Sequence, residues 1–78
     1  MLLIVKTRDK TIFNSEVDNV SSYNKVGIFS ILSDHANFIS IIEKKLIIKQ
    51  RGSTQEIELQ NGLMKVIGNQ VNVYVGIK

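Results

Sequence analysis

The 78 residues contain no cysteine, no proline and no tryptophan. Without a thiol the chain can form neither a disulfide nor a thiolate metal cluster. Charge of one sign is also scarce: ten Lys and Arg stand against seven Asp and Glu, a net +3 that does not by itself imply a nucleic-acid partner. No apolar run approaches the ~20 residues of a spanning helix. Met1-Leu2-Leu3-Ile4-Val5 is apolar, but no basic stretch precedes it and no small-residue cleavage site follows, so it does not read as a signal peptide. What the chain has is apolar material, 44% of its residues, too much for intrinsic disorder. The length allows one domain, residues 1–78, and so short a chain buries only about 60% of its unfolded surface. It must pack its core well or lean on a partner.

The apolar pattern has a period of two nearly everywhere, which predicts strands. Leu3 and Val5 alternate with Leu2 and Ile4, and Arg8-Asp9-Lys10 reads as a charged turn before Thr11–Asn14. A change of face near Asn19 suggests a bulge. Tyr23-Asn24-Lys25-Val26-Gly27 reads as a loop closed by glycine, and Ile28–Leu32 as a short strand. Separate strands are expected at Phe38–Ile42, Leu46–Arg51, Thr54–Leu59, Leu63–Ile67 and Val71–Val75. The turns between the last four fall at Gly52-Ser53, at Asn61-Gly62, which is the strongest hairpin signal in the chain, and at Gly68-Asn69. That makes about nine short strands rich in Ile and Val, hence an all-β sandwich or small barrel. Phe13, Phe29, Ile31, Leu59, Leu63, Val66, Val71 and Val73 are the expected core.

Chemistry-bearing residues are few. His35 is the single histidine, and Ser33 and Asp34 beside it in a turn cannot converge on it as a triad. Glu56 and Glu58 share a strand face by period, and a solvated outer face opposite Ile57 and Leu59 explains them better than acid–base work. There is no phosphate-loop pattern and no set of metal ligands. No catalytic, cofactor or metal residue is assigned. The aromatic residues Phe13, Tyr23, Phe29, Phe38 and Tyr74 leave an oligonucleotide-binding barrel as the alternative. Against it, the basic residues are scattered among acids rather than gathered in a tract.

Four segments in register carry a resemblance. Gly27 with Ile28-Phe29-Ser30-Ile31-Leu32-Ser33-Asp34-His35-Ala36-Asn37-Phe38-Ile39-Ser40 resembles the Gly-Ile-Leu-Pro-x-His-Ala-Pro-Leu stretch of the ε subunit of F-type ATP synthases. Glu16-Val17-Asp18-Asn19-Val20, Asn61-Gly62-Leu63-Met64-Lys65-Val66 and Asn69-Gln70-Val71-Asn72-Val73-Tyr74 resemble three further stretches of that family. The resemblance implies a flattened β-sandwich of about ten mostly antiparallel strands. It also implies a non-catalytic rotor subunit that binds γ and the c-ring within a complex containing α, β and δ. Such a subunit lies peripherally on the cytoplasmic face of a bacterial plasma membrane, or the equivalent organellar face. By position in the matched motif, Lys25, Val26 and Ile28 are the candidates for c-ring contact, and His35, Asn37 and Ser40 for γ contact.

The departures from the pattern carry expectations of their own. Ser30 stands for a family glycine, Ser33 and Asn37 for prolines, and Lys65 for a glutamate. Losing both prolines should loosen the loop. Ile28 stands where an acid is frequent, so the rotor contact is expected to be packed rather than ionic. Most ε subunits continue into a helical hairpin of roughly fifty residues. If the chain ends at Lys78, it is expected to lack that domain, and with it nucleotide binding and inhibition of hydrolysis by that route.

Overall fold

The computed structural model describes residues 1–32 and 37–76. The strands are β1 (Leu2–Lys6), β2 (Thr11–Glu16), β3 (Asn19–Tyr23), β4 (Ile28–Leu32), β5 (Phe38–Gln50), β6 (Ser53–Ile67) and β7 (Gln70–Val75). They form one seven-stranded sheet in the order β2-β1-β7-β6-β5-β3-β4. All pairings are antiparallel except that of β1 with β7, which brings the first and last strands side by side.

Two expected strand breaks do not occur, which reduces about nine expected strands to seven. Phe38–Ile42 and Leu46–Arg51 merge into β5, and Thr54–Leu59 and Leu63–Ile67 into β6. The Asn61-Gly62 hairpin is therefore corrected: both residues lie inside β6. The break is replaced by a bulge. Glu43 pairs with Asn61 and Lys44 with Leu59, so Gln60 has no residue opposite it, and Lys44 takes φ 74°. The extra residue reverses the face of β6. Leu59 points inward before it, and Met64 and Val66 point inward after it. Leu63, expected in the core, is thereby turned to the outer face and left half-buried.

The bulge also builds the sandwich from a single sheet. Beyond it, β7 pairs only with residues 62–67 of β6, followed by β1 and β2. Before it, β3 pairs with residues 43–49 of β5, followed by β4. The two long strands thus belong to both layers. The layers close against each other at the step from β2 to β3. There Val17 N–H donates to the Met1 carbonyl in one layer, and Asp18 N–H donates to the Lys49 carbonyl in the other, both at 2.8 Å. The change of face near Asn19 is this crossing between layers. The molecule measures 31 × 26 × 21 Å along its principal axes.

One core fills the space between the layers: Leu3 and Val5 from β1, Val20, Ile31, Ile42, Leu46 and Ile48, Met64 and Val66, and Val71 and Val73. Ile31, Leu59, Val66, Val71 and Val73 are buried as expected. Phe13 and Phe29 are only half-buried against this cluster, because each lies on an edge strand with one neighbour. Phe29 meets Phe38 edge-to-face, with centroids 5.7 Å apart. Glu56 and Glu58 lie on the outer face of β6, as their period implied.

Ser22 is a fully buried polar residue of the core, and its hydroxyl donates to the Lys45 carbonyl at 2.8 Å, where the β3–β5 register shifts. Ser22→Ala strands that carbonyl and is expected to cost about 1–2 kcal/mol, read as a lower midpoint in urea unfolding. The β5–β6 turn is a two-residue hairpin through Arg51 and Gly52, both left-handed at φ 49° and 81°. This is the type I′ geometry, in which Asn-Gly is the preferred pair. Arg51→Asn keeps the N–H donated to Asp18 Oδ2 and is expected to raise stability by about 0.5–1 kcal/mol in the same assay.

Candidate contact surface

The loop between β3 and β4 is a closed, four-residue hairpin tip. Asn24 and Gly27 exchange backbone hydrogen bonds of 3.0 and 3.2 Å. The Asn24 side-chain Oδ1 accepts from Val26 N–H at 2.8 Å and from Gly27 N–H at 3.1 Å. This is the Asx arrangement that asparagine supplies to turns, and it removes two donors that would otherwise need water. Gly27 closes the loop at φ 148°, a conformation costly for a residue with a Cβ. The sequence reading of a glycine-closed loop holds.

What this frame presents is apolar. Val26 at its apex is 96% exposed, and Ile28 just beyond it is 60% exposed. Lys25 beside them is exposed. The structure thus brings Lys25, Val26 and Ile28 together on one hydrogen-bonded tip, all three exposed. Ser30 is tied into the fold by its side chain. Its hydroxyl lies 2.7 Å from that of Ser21 and ties β4 to β3.

The other candidates lie at the start of β5. His35 falls outside the described residues. Asn37 is exposed, and its Oδ1 accepts from Gly68 N–H at 2.9 Å, which braces the β6–β7 turn. Ser40 is half-buried and donates to the Ile41 carbonyl at 3.1 Å. Both polar groups are thus already engaged.

The sequence reading missed the surface beside them. Ile39 and Ile41 of β5 alternate outward and are 62% and 66% exposed. Ile41 lies opposite Leu63, and Leu63 opposite Tyr74. A shallow apolar groove runs between Ile41, Leu63 and Tyr74 across three strands. Ile67 and Lys65 continue this outer face. The signal was in the sequence as Ile39-Ser40-Ile41-Ile42, apolar on both faces of one strand. A strand apolar on both faces is covered on both.

Charge is sparsely organised. Lys45 Nζ sits 3.1 Å from Glu56 Oε1, and this hydrogen bond and charge hold the lysine above its ordinary value. A raised lysine contributes stability below its unfolded value and loses it only as pH rises through its folded value. The stability gap between wild type and Lys45→Met is therefore expected to stay constant from about pH 7 to about pH 9 in thermal unfolding, and to close only in stronger alkali. Lys44 Nζ lies 5.1 Å over the Tyr23 ring. Among the described residues no group of His, Asp and Glu could hold a metal ion, and no helix is long and apolar enough to cross a membrane.

Residues 1–76 match the family of the ATP synthase delta/epsilon chain, beta-sandwich domain. The chain belongs to this family. The match makes the chain an ε-like amino-terminal β-sandwich domain, with seven strands where the resemblance implied about ten. Among curated proteins it is 25% identical over 75 residues to the ATP synthase epsilon chain of Clostridium botulinum strain Alaska E43 / Type E3. It is equally similar, at 25% over 75 residues, to that of strain Eklund 17B / Type B. Each match takes in 94% of this chain and 56% of the relative, so the chain spans about half the length of these relatives.

Two solved structures share the fold. A chain of the Euglena gracilis mitochondrial ATP synthase OSCP/F1/c-ring structure superposes with a TM-score of 0.86 at 17% identity, over 94% of this chain and 48% of that one. A chain of the Tetrahymena thermophila mitochondrial ATP synthase central stalk/c-ring structure superposes at 0.83 and 12% identity, over 97% and 63%. Phe13, Phe29 and Phe38, three of the five aromatics behind the oligonucleotide-barrel alternative, pack against the core instead of forming a stacking face.

Proposed function

We propose that the chain is a central-stalk subunit of an F-type ATP synthase, binding γ and the c-ring so that ion-driven rotation is coupled to ATP synthesis. It works within a complex containing α, β and δ, and associates with the membrane only through that complex. Its place is the cytoplasmic face of a bacterial plasma membrane or the equivalent organellar face. The observation that carries this reading is the hairpin tip: a hydrogen-bonded turn that lifts Val26 and Ile28 into solvent, on a domain of the delta/epsilon family. Lys25, Val26 and Ile28 meet the polar loops of the ring. His35, Asn37 and Ser40 face γ, and the neighbouring apolar surface of Ile39, Ile41 and Leu63 extends that contact.

The test is a pull-down of tagged protein from its own cell membranes in mild detergent, followed by mass spectrometry. Recovery of γ, the c-ring, α and β is expected. Recovery of nucleic acid with none of the synthase would overturn the reading.

A further inference from the structure

The sheet has two edges, β2 and β4, and among the described residues only β2 is guarded. At β2 the pairing with β1 shifts register between Val5 and Lys6. The outward carbonyl of Glu16 is taken by Gln50 Nε2 at 2.7 Å, and the Glu16 carboxylate is held by the Met1 ammonium at 3.3 Å. Charges and bulges of this kind are how edges are closed to further strands. β4 carries no charge, no proline and no bulge: it reads Ile-Phe-Ser-Ile-Leu in unbroken register with β3.

The ladder phase shows which groups stand open. Asn24 and Gly27 form a hydrogen-bonded pair, so in the alternation of an antiparallel ladder the next bonded pairs are Ser22 with Phe29 and Val20 with Ile31. The N–H and C=O groups of Ile28, Ser30 and Leu32 therefore point away from β3, and among the described residues β4 has no other strand beside it. On the outer face of the same edge Ile28 and Leu32, 60% and 56% exposed, flank the small Ser30.

We propose that β4 is a strand-addition site, filled by an extended, uncharged segment of a partner subunit of the stalk. The inference rests on the stalk reading above. The segment sets apolar side chains opposite Ile28 and Leu32 and a small residue opposite Ser30, and forms backbone bonds to all three. A second copy of this chain also has such a sequence, but it would have only this edge to hold. Five residues at ~3.3 Å by a sheet ~10 Å thick give a footprint of roughly 165 Å², against about 800 Å² per partner in a stable complex. The occupant must therefore grip a second surface as well, and the hairpin tip at residues 24–27 leads directly into this edge.

The experiment uses the protein with purified γ subunit from the same organism as the probe, and follows backbone hydrogen exchange residue by residue. In the complex the amides of Ile28, Ser30 and Leu32 are expected to slow at least about tenfold, since each gains a bond that free β4 lacks. Ser30→Pro removes an outward N–H without touching the β3 ladder and is expected to weaken binding at least about tenfold. Ser30→Ala, which also loses the hydroxyl pair with Ser21, is expected to bind as wild type. Phe29 and Ile31 amides report that each variant is folded. A complex that forms with the three outward amides unprotected overturns the edge proposal and leaves the stalk reading standing. No complex at all overturns both. Protection that grows with concentration in the protein alone makes a second copy the occupant and overturns the proposal as stated.

Discussion

Gly62→Ala is expected to lower stability by about 1–3 kcal/mol, and Gly62→Val to unfold the domain. A Cβ at this position would lie 2.8 Å from the Tyr74 backbone oxygen and 3.4 Å from Ile42 Cγ1. The first contact is with backbone, so β7 itself must move. Gly62 pairs with Ile42 on one side and Val75 on the other, and β7 in turn carries β1. Displacing β7 therefore disturbs the ladder from β5 to β1. A domain of this length has about 4–12 kcal/mol in all. The alanine variant should still fold, with a melting temperature lower by about 4–8 °C for each kcal/mol lost. A Gly62→Ala protein as stable as wild type would show that β7 does not approach β6 as closely as described.

Val26→Asp is expected to have the opposite profile. At 96% exposure Val26 contributes nothing to the core, so urea and thermal unfolding should match wild type within about 0.5 kcal/mol. Its effect belongs to assembly. If the tip packs against a partner, the new carboxylate must be desolvated there, and a loss of about 2–3 kcal/mol weakens binding of the c-ring by roughly 30- to 150-fold. If the contact is packed rather than ionic, Lys25→Ala and added salt should each change that binding little. A strong salt dependence with a tolerant Val26 would show that Lys25 makes the contact and that packing does not.

The period of two made the strands legible, and the glycine-closed loop at Gly27 was legible for the same local reason. The errors concentrate where tertiary structure overrides a local signal. Asn61-Gly62 is a hairpin pair by composition, yet its glycine serves a close approach of β7, not a turn. Lys44 accepts φ 74° inside a strand, which no propensity anticipates. Together they hid the bulge, and the bulge exchanges Leu63 for Met64 in the core. Phe13 and Phe29 read as core by hydrophobicity and are half-buried by position, since edge strands are covered less. The hairpin tip could be placed from the sequence because its signal is local. The open edge of β4 could not, because which strand is outermost depends on pairings between distant residues.

The most direct test of the account is coupling in inverted membrane vesicles stripped of this protein. ATP hydrolysis and ATP-driven ion pumping are measured before and after the purified protein is added back. The account predicts that hydrolysis continues without it, that pumping is lost, and that wild type restores pumping where Val26→Asp does not. Pumping that is undiminished in the stripped vesicles would contradict a role in the rotor.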